Sequence, residues 1–166
     1  MINHEITEVI CKAHELLIRK NLTISVAESC TGGLISHYLT YLPGSSAFFD
    51  AGVVSYSIES KKGILGVSSE TISNYGVVSE ETAREMAENV RVLTKTDYSI
   101  STTGNLGPDV LEGKEKGLVY IAVSREGQTF SWQLKLKGDR EANKKEASLL
   151  ALMFLVEVLS NDSKNP

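Results

Sequence analysis

The chain has 166 residues, 42% of them hydrophobic and 23% charged, with a formal net charge of −4. That length and composition fit one domain able to bury a full core. The acidic balance excludes broad nucleic-acid binding, which needs a basic face, but leaves room for a small anion held by local donors.

Ile2, Ile6, Val9, Ile10, Ala13, Leu16 and Leu17 recur at helical spacing and predict a first helix with one buried stripe, its C-terminal end capped by Asn21. Thr23 to Ala27 reads as a buried strand. Leu34 to Leu42 reads as a second helix stopped by Pro43-Gly44. Ala51 to Ser57 alternates as a strand and Ile58 to Leu65 suggests a short helix. Another short helix, capped by Ser68 or Ser69, ends near Gly76. Ser79-Glu80-Glu81 sets a cap and two acids at a helix start, and Ala83, Met86, Ala87, Val90 and Leu93 form its apolar face. Tyr98 to Thr103 predicts a strand, followed by a long polar loop from Gly104 to Gly117. Leu118 to Ser124 and Thr129 to Leu136 form a hairpin around Arg125-Glu126-Gly127-Gln128. Gly138-Asp139 opens a last helix, and Ser160 to Pro166 is a polar tail.

This alternation predicts a three-layer α/β/α sandwich with a mixed, mostly parallel sheet, the hairpin requiring an antiparallel strand. One domain is expected over residues 1–160, with 161–166 as a flexible tail. His4, Glu5, Glu8 and Lys12 break any apolar signal segment, and no apolar run is long enough for a bilayer. Cys11 and Cys30 read as reduced thiols, so the expected compartment is the cytoplasm, with no membrane partner.

Four groups fall at ends of predicted strands, where open α/β sheets bind ligands. They are Glu28 to Gly33, Gly44-Ser45-Ser46, Tyr56 to Lys61, and Thr102-Thr103-Gly104. In the first group, a strand feeding a helix through small hydroxyl residues offers backbone N–H groups and a dipole to an anion. Ser29, Cys30 and Thr31 are each candidate nucleophiles or donors there. None of the groups holds a histidine: His4, His14 and His37 lie on helices, which argues against a histidine triad, and no ligand spacing points to a metal. A serine can instead be activated by a lysine. The lysine must then lose its proton near neutrality, which burial or a neighbouring cation such as Lys62 promotes. By spacing alone, Lys61-Lys62 is a solvated helix face and Tyr56 a core ring.

Taken together, the motifs resemble the nicotinamide mononucleotide deamidase family, the C-terminal domain of the CinA type. The resemblance rests on residues 27–33 (AESCTGG), 43–49 (PGSSAFF), 52–61 (GVVSYSIESK) and 76–81 (GVVSEE), with Gly138-Asp139-Arg140 near the end. It implies hydrolysis of the nicotinamide carboxamide to nicotinate mononucleotide and ammonia in pyridine nucleotide salvage, by a homodimer without metal or other cofactor. It further implies a serine–lysine dyad, with Ser46 and Lys61 preferred, Ser29 a hydrogen-bonding neighbour, and the reverse assignment close behind. Tyr56 and Thr103 would orient substrate or the oxyanion. Glu28, Thr31, Gly32, Gly33 and Gly104 would line the substrate site, and Arg140 would meet the phosphate.

The loop departs from the family's Gly-Ile-Ala-Gly-Pro pattern with its following glycines. Here it reads GNLGPDVLEGKEKG over residues 104–117, and Asp109 and Glu112 are expected to repel a phosphate or block the backbone approach. Ile58 replaces a common Asn, and Lys144 and Lys145 replace arginines, keeping charge without the bidentate fork. A nucleotide-binding module with little turnover, or an amidase for another group, are the alternative readings.

Overall fold

The apolar strands and amphipathic helices assemble into three layers in the computed structural model, which describes residues 4–162. Ile2 and residues 163–166 of the expected first helix and tail lie outside the described residues. The order is α1 (His4–Arg19), β1 (Ile24–Glu28), α2 (Leu34–Leu39), a 3-10 turn at Ser45–Ala47, β2 (Phe49–Val54), α3 (Ile58–Gly63), α4 (Ser69–Tyr75), α5 (Glu80–Thr94), β3 (Tyr98–Gly104), β4 (Leu118–Arg125), β5 (Gln128–Lys135) and α6 (Arg140–Asn161). The sheet order is β2-β1-β3-β4-β5. β1 pairs in parallel with both β2 and β3, and β4 runs antiparallel to its two neighbours, so β4 alone is reversed. The fold is the mixed α/β sandwich expected.

Every residue of β1 is buried because helices cover both faces of the central strands. On one face Ile10, Leu17, Ile35, Leu39, Leu152 and Leu155 from α1, α2 and α6 close over Ile24, Val26 and Ile121. On the other face Met86 and Val90 of α5 meet Ala27, Leu65 and Val67, while Ala83 and Ala87 meet Ala122. The small residues on α5 bring it close to β3, where the Ser99 and Ser101 hydroxyls donate to the Ala87 and Ala83 carbonyls.

The bounds of three elements differ most from expectation. α2 stops at Leu39, β2 begins at Phe49 and ends at Val54, and α6 continues to Asn161. The helix extension consumes the start of the expected tail. Asp162 beyond it accepts from the Tyr98 hydroxyl and pairs with Arg125, which anchors that end.

The turn after β1 is held by Glu28, which has no exposed surface. Its carboxylate accepts from the N–H groups of Gly33, Ile35 and Ser36 and from the Ser36 and Thr31 hydroxyls, at 2.6–3.2 Å. A carboxylate satisfies the unpaired N–H groups of a helix start and complements its dipole. Glu28→Ala strands these donors in the interior, so a loss of about 3–5 kcal/mol is expected. Urea unfolding measures it: a midpoint equal to that of the wild type would show that the turn is held by other contacts.

Candidate active site

Parallel strands place their C-terminal ends on one edge of the sheet, and three of the four motif groups meet there. Ser29 follows β1, Tyr56 to Lys61 follow β2, and Thr103-Gly104 end β3. The α3 helix starts with a capping box between Ser57 and Ser60, which turns Lys61 inward as the helix's one buried residue. Lys61 is 2% exposed, unlike the solvated residue its spacing suggests. Its Nζ donates to Ser29 Oγ at 2.8 Å and to the Ser55 carbonyl at 2.8 Å. Burial, which disfavours the ammonium, lowers the Lys61 pKa to about 8.

Ser29, 8% exposed, lines a cavity of about 290 Å³ together with Tyr56, Lys61, Val77, Val78, Thr103, Gly104, Leu111 and Glu112. That volume is at the small end of ordinary ligand sites. Thr103 Oγ1 donates to the Val77 carbonyl at 2.6 Å and so braces one wall. Tyr56 is no core ring: it is 59% exposed at the rim, where its hydroxyl accepts from Arg140 at 2.6 Å. Arg140 also donates to the Gly107 carbonyl at 2.7 Å, and Asn143 ties the same helix start to the Leu106 carbonyl. One turn on, Lys144 lies over Gly32, where an added Cβ would come 3.1 Å from its Nζ. Arg140 and Lys144 thus form a basic pair one turn apart on α6, Arg140 against Tyr56 at the rim and Lys144 over Gly32.

Ser46 is not part of this assembly. Its 3-10 turn precedes β2, whose first residue pairs with Ile24 at the start of β1, whereas Ser29 follows the end of β1. The length of β1 separates the two serines, roughly 16 Å at ~3.3 Å per residue. Ser46 is exposed at the opposite edge of the sheet, so within this chain the amine of Lys61 bonds to Ser29 and not to the Ser46 preferred as its partner. The reason is strand polarity: Ser46 lies before a strand and Ser29 after its parallel neighbour.

Glu28 and Thr31 also fall outside the cavity, buried and committed to each other and to Thr102. The N–H groups of Gly32 and Gly33 donate to the Ser29 carbonyl and to Glu28, so the helix start expected to receive a ligand anion holds the chain's own carboxylate. Cys30 is buried and its thiol is pushed up to about 12, chiefly by desolvation, which removes it as a nucleophile. Glu112 does not reach toward the basic pair; its carboxylate accepts from the Val77 N–H at 2.6 Å and the Val78 N–H at 3.3 Å. Ser55, Val77, Val78 and Leu111 shape the site without having been singled out, since they contribute backbone groups and apolar contact. No group of three metal-ligating side chains occurs among the described residues, and no described helix is long and apolar enough to cross a membrane.

The family model of the CinA C-terminal domain matches residues 6–159. The chain belongs to that family. It is 44% identical over 160 residues to a competence-damage inducible protein of Caldicellulosiruptor saccharolyticus, covering 96% of this chain and 38% of the relative. A relative of the same description from Acetivibrio thermocellus is 50% identical over 129 residues, covering 77% of this chain and 31% of its own. The chain therefore spans about a third of the length of these curated relatives. Among solved structures, a CinA-superfamily protein from Klebsiella pneumoniae superimposes with a TM-score of 0.91 at 32% identity, over 95% of this chain and 99% of that one. A competence/damage inducible protein from Agrobacterium tumefaciens gives a TM-score of 0.92 at 31% identity, over 97% and 99%.

The buried lysine of this CinA domain gives a stability signature with a defined sign. The unfolded chain holds the Lys61 proton up to about 10.5, the folded chain only up to about 8. Between those values the unfolded state binds more protons, so this group's contribution to stability rises with pH. Lys61→Met lacks that contribution. Its melting temperature relative to wild type is expected to fall as pH rises from about 8 to 10.5, which differential scanning fluorimetry would read. A difference constant with pH would show that Lys61 titrates normally.

Proposed function

We propose that this domain is a metal-independent amidohydrolase that cleaves the carboxamide of nicotinamide mononucleotide, with Ser29 as nucleophile and Lys61 as proton carrier. The observation that carries the reading is the 2.8 Å contact between Lys61 Nζ and Ser29 Oγ in the wall of a small cavity. With the Lys61 pKa near 8, about one molecule in ten holds a neutral amine at pH 7. In that form the contact reverses and the Ser29 hydroxyl donates to the amine.

Ser29 Oγ then adds to the amide carbon while its proton passes to Lys61 Nζ. The tetrahedral adduct collapses, the C–N bond breaks, and the Lys61 ammonium returns a proton to the leaving nitrogen, which departs as ammonia. Water attacks the resulting ester on Ser29 and gives its proton to Lys61, releasing the acid and restoring the hydroxyl. The choice of substrate draws on the motif resemblance, supported by Arg140 and Lys144 as cations for a phosphate at the rim and by a cavity suited to one aromatic ring. The salvage role and a homodimeric assembly belong to the same proposal.

Incubation with nicotinamide mononucleotide, with ammonia and the acid product quantified, tests this. Ser29→Ala and Lys61→Met are each expected to lower kcat/KM by about 10³-fold or more, while Ser46→Ala stays within a few-fold of wild type. No turnover by the wild type, or full activity in Ser29→Ala, would overturn it.

The pH profile gives a separate reading. Because protonated Lys61 accepts no proton, kcat/KM should climb about tenfold per unit below pH 8 and level above about 8. A rate that falls as pH rises through this range would refute the assigned base.

A further inference from the structure

Part of the cavity wall is held by an interaction between segments far apart in sequence. Glu112 sits in the loop between β3 and β4, yet its carboxylate spans the N–H groups of Val77 and Val78, ahead of α5. Lys114 closes the clamp: its Nζ lies 3.1 Å from Glu112 Oε2 and donates to the Tyr75 and Val78 carbonyls. Thr103 holds the Val77 carbonyl from the other side. The dipeptide Val77-Val78 therefore joins the end of β3, the loop and the turn before α5, and all three line the cavity.

The clamp is built at a conformational cost. Glu112 has φ of 59°, in the left-handed region that L-residues other than Asn and Asp seldom enter. Gly76 is in contact with it, and a Cβ there would come 2.3 Å from a carboxylate oxygen. Burial works to raise the Glu112 carboxyl, but the Val77 N–H, Lys114 and the Val78 N–H together outweigh it and keep it below its ordinary value. The carboxylate form that the clamp needs is therefore the favoured one. Its neighbour Leu111 borders the cavity half-exposed, its N–H and carbonyl both bonded to the Asn105 side chain.

We propose that Glu112 is the specificity-determining residue of this site, its clamp on Val77 and Val78 setting the wall beside Leu111 so that the cavity admits an unsubstituted aromatic carboxamide and rejects larger amides. This rests on the amidase reading above. Glu112 touches no reacting atom in this scheme; it acts by positioning the wall. One methylene more or less in a fitted pocket is worth roughly 10–200-fold in discrimination.

The test compares nicotinamide mononucleotide with its N-methylcarboxamide analogue in wild type, Glu112→Gly, Glu112→Gln and Leu111→Ala. Glu112→Gly removes the carboxylate while easing the left-handed backbone, so it is the variant best suited to fold. It is expected to raise KM more than it lowers kcat and to reduce the preference for the unsubstituted amide about tenfold. Leu111→Ala, which removes the wall and leaves the clamp, should relax the same preference. Glu112→Gln, which keeps one acceptor, should fall between Glu112→Gly and wild type. Hydrogen exchange at Val77, Val78 and residues 105–117 should quicken in Glu112→Gly. The preference is also read as a ratio of Kd values by calorimetry, so loss of wild-type turnover would count against the hydrolytic reading while the selectivity is still judged. An unchanged preference in Glu112→Gly overturns the proposal even if exchange quickens, because the clamp would then be structural alone.

Discussion

Glu28 fixes the serine and the lysine of this site relative to one another. Its carboxylate gathers the start of α2 and so sets the turn that carries Ser29. Its own carbonyl accepts from the Ser55 N–H at 2.8 Å, and the Ser55 carbonyl in turn accepts from Lys61. Serine and lysine are thus both located from one residue, by its side chain and by its main chain. A buried charge is costly unless hydrogen bonds satisfy it, and here those bonds double as the frame of the site. The same economy explains why the helix start holds no free donors: the anion that suits it is part of the chain.

Sheet polarity decides the remaining chemistry. With β1, β2 and β3 parallel, the residues after each strand converge and those before each strand are excluded. Lys61 reaches Ser29 because α3 folds back immediately after β2, and its ammonium loses solvation as it packs inward. Placing a lysine amine against a serine hydroxyl and a backbone carbonyl, with no carboxylate hydrogen-bonded to it among the described residues, leaves the amine near the protonation balance that a proton carrier requires.

Periodicity carried much of this in the sequence. The apolar stripe of α1, the short buried strand before Ser29, the hairpin of β4 and β5 and the cap of α5 were all legible, because each is a local pattern. What local pattern lacks is direction and depth. Ser46 and Ser29 both border strands, and only the pairing register separates their edges. Lys61 sits beside Lys62 in a polar run, and only the docking of α3 buries one of the two. Glu112 was legible as a departure, but its partners Val77 and Val78 offer backbone groups that no residue type announces. The arginine at the start of α6 was legible; its bond to Tyr56, across most of the chain, was not.

The serine hydroxyls beneath α5 have a longer reach than their size suggests. Bonded to carbonyls one helical turn apart, Ser99 and Ser101 act like two pins in a rack: α5 cannot slide or screw along β3 without losing both. Val77 and Val78 lead into α5, so this lock holds the helix against which the Glu112 clamp fastens them. One boundary of the cavity thus leans on a helix whose register is pinned from the floor of the sheet, by two hydroxyls that do not line the cavity themselves.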